Sequence, residues 1–509
     1  MSRIDVRRYL FDRDVLSLMG LAMLVKPVGM VTQILLARWF GAGPDVDAYQ
    51  LAFFLVTFGD GTLSRVFKGS MAPHLIQCLR TMEHRAYAAY QNAIVGLFLS
   101  AGAVWLVLLA LLAPAAVPLV WPGLLEQTAD LAIAMMLVMA LPALLMVSTN
   151  LGMAVLNLHQ HFRVAGAMPV LNAVCMLVAL VLWHEELGIW AMPAGFVLSQ
   201  VLQWPAVHAR ALAVRALRLV RPSLADVDFR LVRDLVGLMA VSELLLTVNL
   251  FLDKWFATGL APGSISSLHY ANTVTTAALI LFSTSLVTVM FPRMSAAIAA
   301  GDFAGCSADV SANLTRTAHL VVPAALAGAV AAPEVVRVLF ERGAFDASDA
   351  ARTSGTLTMY LLGLPALIIN GLVARIFHSM QLLRDKMWLS VQYLGTNFLL
   401  NLMLVGLLAV RGLALASTLA INLHLLISLW ILHRRGGGLT TGRFAWIVVR
   451  SYVLGALALM AYWFLPVEAW VAPLRLDTLL GALGAGGVKA GVLGGAYVVI
   501  LLGWRRASR

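Results

Sequence analysis

About fourteen stretches of this chain are apolar for about 20 residues each, the length a helix needs to cross a bilayer. They start near residues 14, 48, 88, 130, 164, 187, 232, 266, 315, 354, 387, 412, 445 and 480. Hydrophobic residues make up 61% of the chain and charged ones 12%, a balance outside the usual soluble range. The expected fold is an all-α polytopic membrane protein with about fourteen transmembrane helices. No short signal peptide is expected, because the first apolar run follows an Arg-rich start and continues into the body. Cys78, Cys175 and Cys306 have no metal-ligand spacing and too few partners for a disulfide framework.

The formal net charge of +11 would suit nucleic acid, but the cations sit at span ends. Arg3, Arg7, Arg8 and Arg13 precede the first span; His74, Arg80, His84 and Arg85 follow the second. His159, His161 and Arg163 follow the fourth, and Arg210, Arg215, Arg218, Arg221, Arg230 and Arg233 the sixth. Arg384 and Lys386, then His433, Arg434, Arg435 and Arg443, then Arg505, Arg506 and Arg509 continue the series. Intervening loops carry Asp45 and Asp47, Glu126 and Asp130, Glu185 and Glu186. The positive-inside rule then places both termini in the cytoplasm with an even number of spans. No nucleic-acid partner is expected.

The chain also repeats itself. Arg38-Trp39-Phe40 answers to Lys254-Trp255-Phe256, Met71-Ala72-Pro73 to Met290-Phe291-Pro292, and Ala113-Pro114 to Ala332-Pro333. Leu141-Pro142-Ala143-Leu144 recurs unchanged as Leu364-Pro365-Ala366-Leu367. The offsets drift slowly from 216 (255 − 39) to 223 (364 − 141), as duplicated architecture requires. The domains expected are a six-helix lobe over 1–207, a basic linker over 208–231, a second six-helix lobe over 232–440 and two added helices over 441–509. Parallel repeats of this kind suit alternating access about a site between halves. Breaks are expected at Gly59-Asp60-Gly61 in span two and at Pro142 in span four, and the third span is expected to end at Pro114 and Pro118.

Phe40-Gly41-Ala42-Gly43 with Asp47-Ala48, Leu339-Phe340-Glu341-Arg342-Gly343-Ala344-Phe345-Asp346, Tyr270-Ala271-Asn272 and the stretch Met290 to Gly301 resemble the MviN/MurJ family of lipid II flippases. The family belongs to the multidrug/oligosaccharidyl-lipid/polysaccharide exporter superfamily. The resemblance implies fourteen spans in two lobes plus two helices, with a cavity lined by spans one, two, seven and eight. It implies transport of a lipid-linked saccharide to the outer leaflet, its diphosphate meeting cavity cations. Lys26 falls where the family has a first cavity arginine, keeping the charge but not the bidentate fork. Thr32, Gln33, Asn272 and Thr273 fall on other charged positions of the family, while Asp47 matches.

Ionisable groups at membrane depth need a cavity or a partner. The candidate cavity residues are Lys26, Asp60, Glu243, Asn249, Thr273 and Arg375, with Asp47 as gate or helix cap. Lys26 lies about twelve residues into its span and reads as a phosphate-binding cation or a packing salt bridge. Glu243 is its repeat equivalent; it either pairs with Lys26 or bonds a nearby Ser or Asn. Asp60 reads as an ion-coupling group or as a partner of Arg65 or Lys68. Arg375 and Lys489 are expected to snorkel, His424 to be packed, and Arg38 and Lys254 to cap helix ends as scaffold.

No nucleotide-binding loop, metal-ligand spacing or catalytic set stands out, so no enzyme and no cofactor are expected. The driving force left open is the membrane potential or a monovalent cation. The function expected is a MurJ-like flippase of lipid II or a related polyprenyl-diphosphate-linked saccharide. Its partners would be that substrate, the bilayer and cell-envelope synthesis proteins. The alternatives are an exporter of another lipid-linked polysaccharide unit, a cation-coupled multidrug exporter, and a non-transporting interaction protein.

Overall fold

The computed structural model describes residues 13–225, 227–299, 303–380, 382–435, 441–474 and 479–507. Arg3, Arg7, Arg8, Gly301 and Arg509, used above for topology and resemblance, lie outside them. The described residues form helices and connections, with no strand among them. In chain order the helices are α1 (Arg13–Phe40), α2 (Pro44–Val66), α3 (Ala72–Thr81), α4 (His84–Val120), α5 (Glu126–Leu158), α6 (Phe162–Leu187), α7 (Ala191–Ala213) and α8 (Phe229–Thr258). They continue as α9 (Ser264–Ala299), α10 (Phe303–Val330), α11 (Ala332–Leu339), α12 (Ala347–Ser379), α13 (Leu383–Arg435), α14 (Thr441–Phe464), α15 (Val467–Val471) and α16 (Leu479–Ala507).

Eight helical segments among the described residues are long and apolar enough to cross a membrane. Two of them, Phe162–Ala213 and Arg384–Arg435, run for 52 residues, twice what one crossing needs. The first divides at the short 3-10 turn Gly188–Trp190, the second at Ala409, whose φ of 49° breaks the helix. Those eight segments therefore supply ten crossings. The pair Ser311–Val330 and Ala332–Leu339, bent by 68° where Pro333 opens α11, adds an eleventh. With α1, α2 and α9, of 28, 23 and 36 residues, the described helices include enough of crossing length for the fourteen expected.

Helix starts repeat as well. α9, α12 and α13 begin 220, 221 and 221 residues after α2, α5 and α6 (264 against 44, 347 against 126, 383 against 162). By packing, the chain forms two compact units, Met1–Gly263 and Ser264–Arg509. α8 therefore packs with the first unit, although the repeat makes it the opening helix of the second copy. α7 runs on to Ala213, so helix fills the start of the expected linker. The remainder is docked rather than loose. Gln91 donates to the Ala216 carbonyl, and Asn92 to those of Arg218 and Val220, all at 2.9 Å. Asp228 then caps α8 by accepting from the Arg230 and Leu231 N–H groups.

The expected breaks fall elsewhere. α5 continues through Pro142 and α2 through Gly59-Asp60-Gly61, whereas α4 runs through Pro114 and ends at Val120, two residues past Pro118, close to the expected span end. Proline removes one ladder bond, which a packed membrane helix tolerates. α2 instead loosens after Val66, where Phe67–Met71 forms a π-helical turn leading into α3. In the second unit, the core joins α12, α13 and α14 through Ile369, Ile376, Phe377, Leu425, Leu429 and Val448. Val322 of α10, Leu454 of α14 and Tyr497 of α16 form a second cluster there.

Candidate functional site

Span two explains its own glycines. A Cβ on Gly59 would sit 2.2 Å from the Trp105 ring of α4, so only glycine fits against that indole. A Cβ on Gly61 would lie 3.2 Å from a guanidinium nitrogen of Arg65, one turn along. Between them, Asp60 turns into the first unit. Its Oδ2 accepts from Asn150 Nδ2 at 2.7 Å and its Oδ1 from Ser64 Oγ at 3.2 Å. Asp60 is therefore held by neutral donors on α5 and α2, and no direct ion pair with Arg65 or Lys68 forms.

Arg65 reaches α8 instead. Its Nε donates to Glu243 Oε2 at 2.6 Å and its Nη2 to Thr247 Oγ1 at 3.1 Å. Thr247 in turn lies 3.3 Å from Thr62 Oγ1 and donates to the Glu243 carbonyl. Further along, Lys254 Nζ lies 5.3 Å from the centre of the Phe54 ring. Asp47 Oδ2 accepts from the Gly263 N–H at 2.7 Å. Each step along α2 is thus matched by a reverse step along α8 and the turn after it: an antiparallel seam with charged side chains towards both ends.

The two open readings of Glu243 both give way. Its partner is Arg65, not Lys26 and not a neutral neighbour. Lys26 stands exposed on α1 and has no ion pair among the described residues. Lys68 is likewise exposed. Asn249 is 6% exposed, and its Oδ1 has no hydrogen-bond partner among the described residues. Asp47, in the first turn of α2, accepts from the Gly263 N–H and so pins that turn. Thr32 and Thr273, on positions where the resemblance leads one to expect arginine, bond to their own helices, to Val28 O at 3.0 Å and His269 O at 2.9 Å. Thr273 and half-buried Arg375 belong to the second unit. Sequence reasoning named Arg65 only as a partner for Asp60 and missed Thr62, Thr247 and Asn150. The Gly61–Arg65 and Glu243–Thr247 spacings, one helical turn each, were the available signal.

In the second unit, the sequence motifs meet in space. Tyr270 of α9 is fully buried between Phe340 and Phe345, with ring centres 5.1 and 5.6 Å away. Gly343 turns the chain between them with φ 64°. Asp346 caps α12 by accepting from the Ser348 and Asp349 N–H groups. Those bonds, Asp349 first, hold its carboxyl below the usual carboxylate range. The motif is thus a structural knot. Beside it lies a cavity of about 410 Å³ lined by Arg337, Glu341, Ser354 and Arg411 among others. Lys489 does not snorkel: Nζ pairs with Glu334 at 2.9 Å and Glu468 at 3.0 Å, and the residue is 9% exposed. His424 packs against Tyr393.

The family model described as lipid II flippase MurJ matches residues 36–475. A lipid II flippase MurJ from Burkholderia cenocepacia is 27% identical over 454 residues, 83% of this chain and 84% of that one. A solved structure of lipid II flippase MurJ in an inward closed conformation superposes with a TM-score of 0.76 at 19% identity, covering 97% of this chain and 99% of that one. An inward-facing multidrug resistance transporter of the MATE family superposes with a TM-score of 0.66 at 14% identity, covering 82% and 97%. The match over most of the chain decides between these two branches of one architecture: this chain belongs to the MurJ family of lipid II flippases.

Proposed function

We propose that this chain carries a lipid-linked saccharide of the lipid II class across the bacterial inner membrane by alternating access, with both termini in the cytoplasm. Family membership along most of the chain is the observation that carries the reading. The polar seam supports it. Lys26, Arg65 and Lys68 are exposed cations on α1 and around the end of α2, at helices the family lines its cavity with. A diphosphate taken out of water needs such donors to offset its desolvation. Both Asp60 oxygens are engaged by Asn150 and Ser64, which favours a positioning role over ion coupling. The driving force in this reading is the membrane potential or a monovalent cation.

Complementation of a strain depleted of its lipid II flippase tests this. The wild-type chain is expected to restore growth, and Lys26→Ala to weaken the rescue. Absence of rescue, with loss of a surface polysaccharide when the native gene is deleted, would replace lipid II by another lipid-linked glycan. Full rescue by both forms would remove Lys26 from the site.

A further inference from the structure

The Arg65–Glu243 contact is lopsided. Glu243 takes only the Nε proton; Thr247 takes one from Nη2; Nη1 has no acceptor among the described residues. The Glu243 side chain is 15% exposed and lodged against the seam, whereas that of Arg65 is 49% exposed. The arginine is therefore held from one side and open on the other. Asp60 and Glu243 balance Arg65 and Lys68 in charge, Asp60 lying within electrostatic reach of both cations.

We propose that Glu243 is a built-in stand-in for the anionic head of the cargo. It holds Arg65 when the site is empty and yields it to the diphosphate of a lipid-linked saccharide, so that binding unfastens α8 from α2 at this end. The inference rests on the lipid-linked cargo proposed above. A guanidinium offers five donors in a planar fork, and a single carboxylate contact uses one of them. A diphosphate brings more oxygens and more charge, and approaches from the open side. Once it is bound, Glu243 faces a like charge, which pushes α8 away.

The other end of the seam is built differently. There Asp47 accepts from the Gly263 N–H, Trp255 donates to the Val120 carbonyl at 2.7 Å, and Lys254 sits over Phe54. None of these contacts involves Glu243, so its displacement loosens one end of α8 and leaves the other attached. A membrane transporter that must open towards one side at a time needs such an asymmetry.

The test titrates the full-length protein in lipid nanodiscs with a sugar-free polyprenyl diphosphate. Wild type is expected to bind, Glu243→Gln to bind at least about fivefold more tightly, and Arg65→Gln at least about tenfold more weakly. Arg65→Lys should recover only part of that loss, and adding Glu243→Gln to Arg65→Gln should bring no gain. Unchanged or weaker binding by Glu243→Gln, with Arg65→Gln still impaired, would make Glu243 a plain brace and overturn the inference while leaving the cargo reading intact. No binding by wild type would overturn both.

Discussion

Lys489 shows what a single residue at membrane depth reveals before its partners are known. A charge there must be paired or reach water, and that much follows from sequence alone. Its partners, Glu334 and Glu468, lie on α11 and α15, and only tertiary packing brings them to α16. Glu334 keeps one buried oxygen without a hydrogen-bond partner among the described residues, so it depends on this lysine. Lys489→Met is expected to destabilise the protein by about 3 kcal/mol, because it strands a buried carboxylate. Adding Glu334→Gln should restore part of that. Thermal unfolding of the purified protein in detergent measures both, and a Lys489→Met protein melting with wild type would show the pair to be idle. The same limit governed Glu243: its need for a cation was legible, whereas the choice of Arg65 over Lys26 was set by how α2 and α8 lie together.

At the scale of the helix, apolar run length located the spans, while glycine and proline misplaced the breaks. Pro142 lies inside a continuous helix because neighbouring helices compensate a missing ladder bond. Gly59 and Gly61 answer to side chains, Trp105 and Arg65, rather than to a bend. The π-helical turn at Phe67–Met71 has no comparable composition signal. What sequence periodicity does not carry is pairing between helices, here the antiparallel seam of α2 and α8. Thr62 and Thr247, with hydroxyls 3.3 Å apart, report that seam directly. Cysteines at both positions lie within reach of a disulfide after a small adjustment. Oxidising Thr62→Cys/Thr247→Cys is expected to join the helices and stop transport until reductant is added. Unimpaired transport with the bond formed would show that this part of α8 never leaves α2.

For the whole molecule, the repeat was the most legible feature, since helix starts recur at nearly the offsets read from Trp-Phe and Leu-Pro-Ala-Leu. It did not foretell that α8 packs with the first unit, because duplication records ancestry and compactness records contacts. The family motifs around Tyr270 and Gly343 also speak to the scaffold, through an aromatic knot, and not to cargo. Cargo therefore has to be read from transport itself. The most direct measurement reconstitutes the purified chain into liposomes with fluorescently labelled lipid II and follows its exposure to a membrane-impermeant quencher. Transfer between leaflets well above that of protein-free liposomes is expected, reduced by Arg65→Gln. Transfer no faster than in protein-free liposomes, with the protein folded and a membrane potential and monovalent cation gradient supplied, would contradict lipid II transport by this chain.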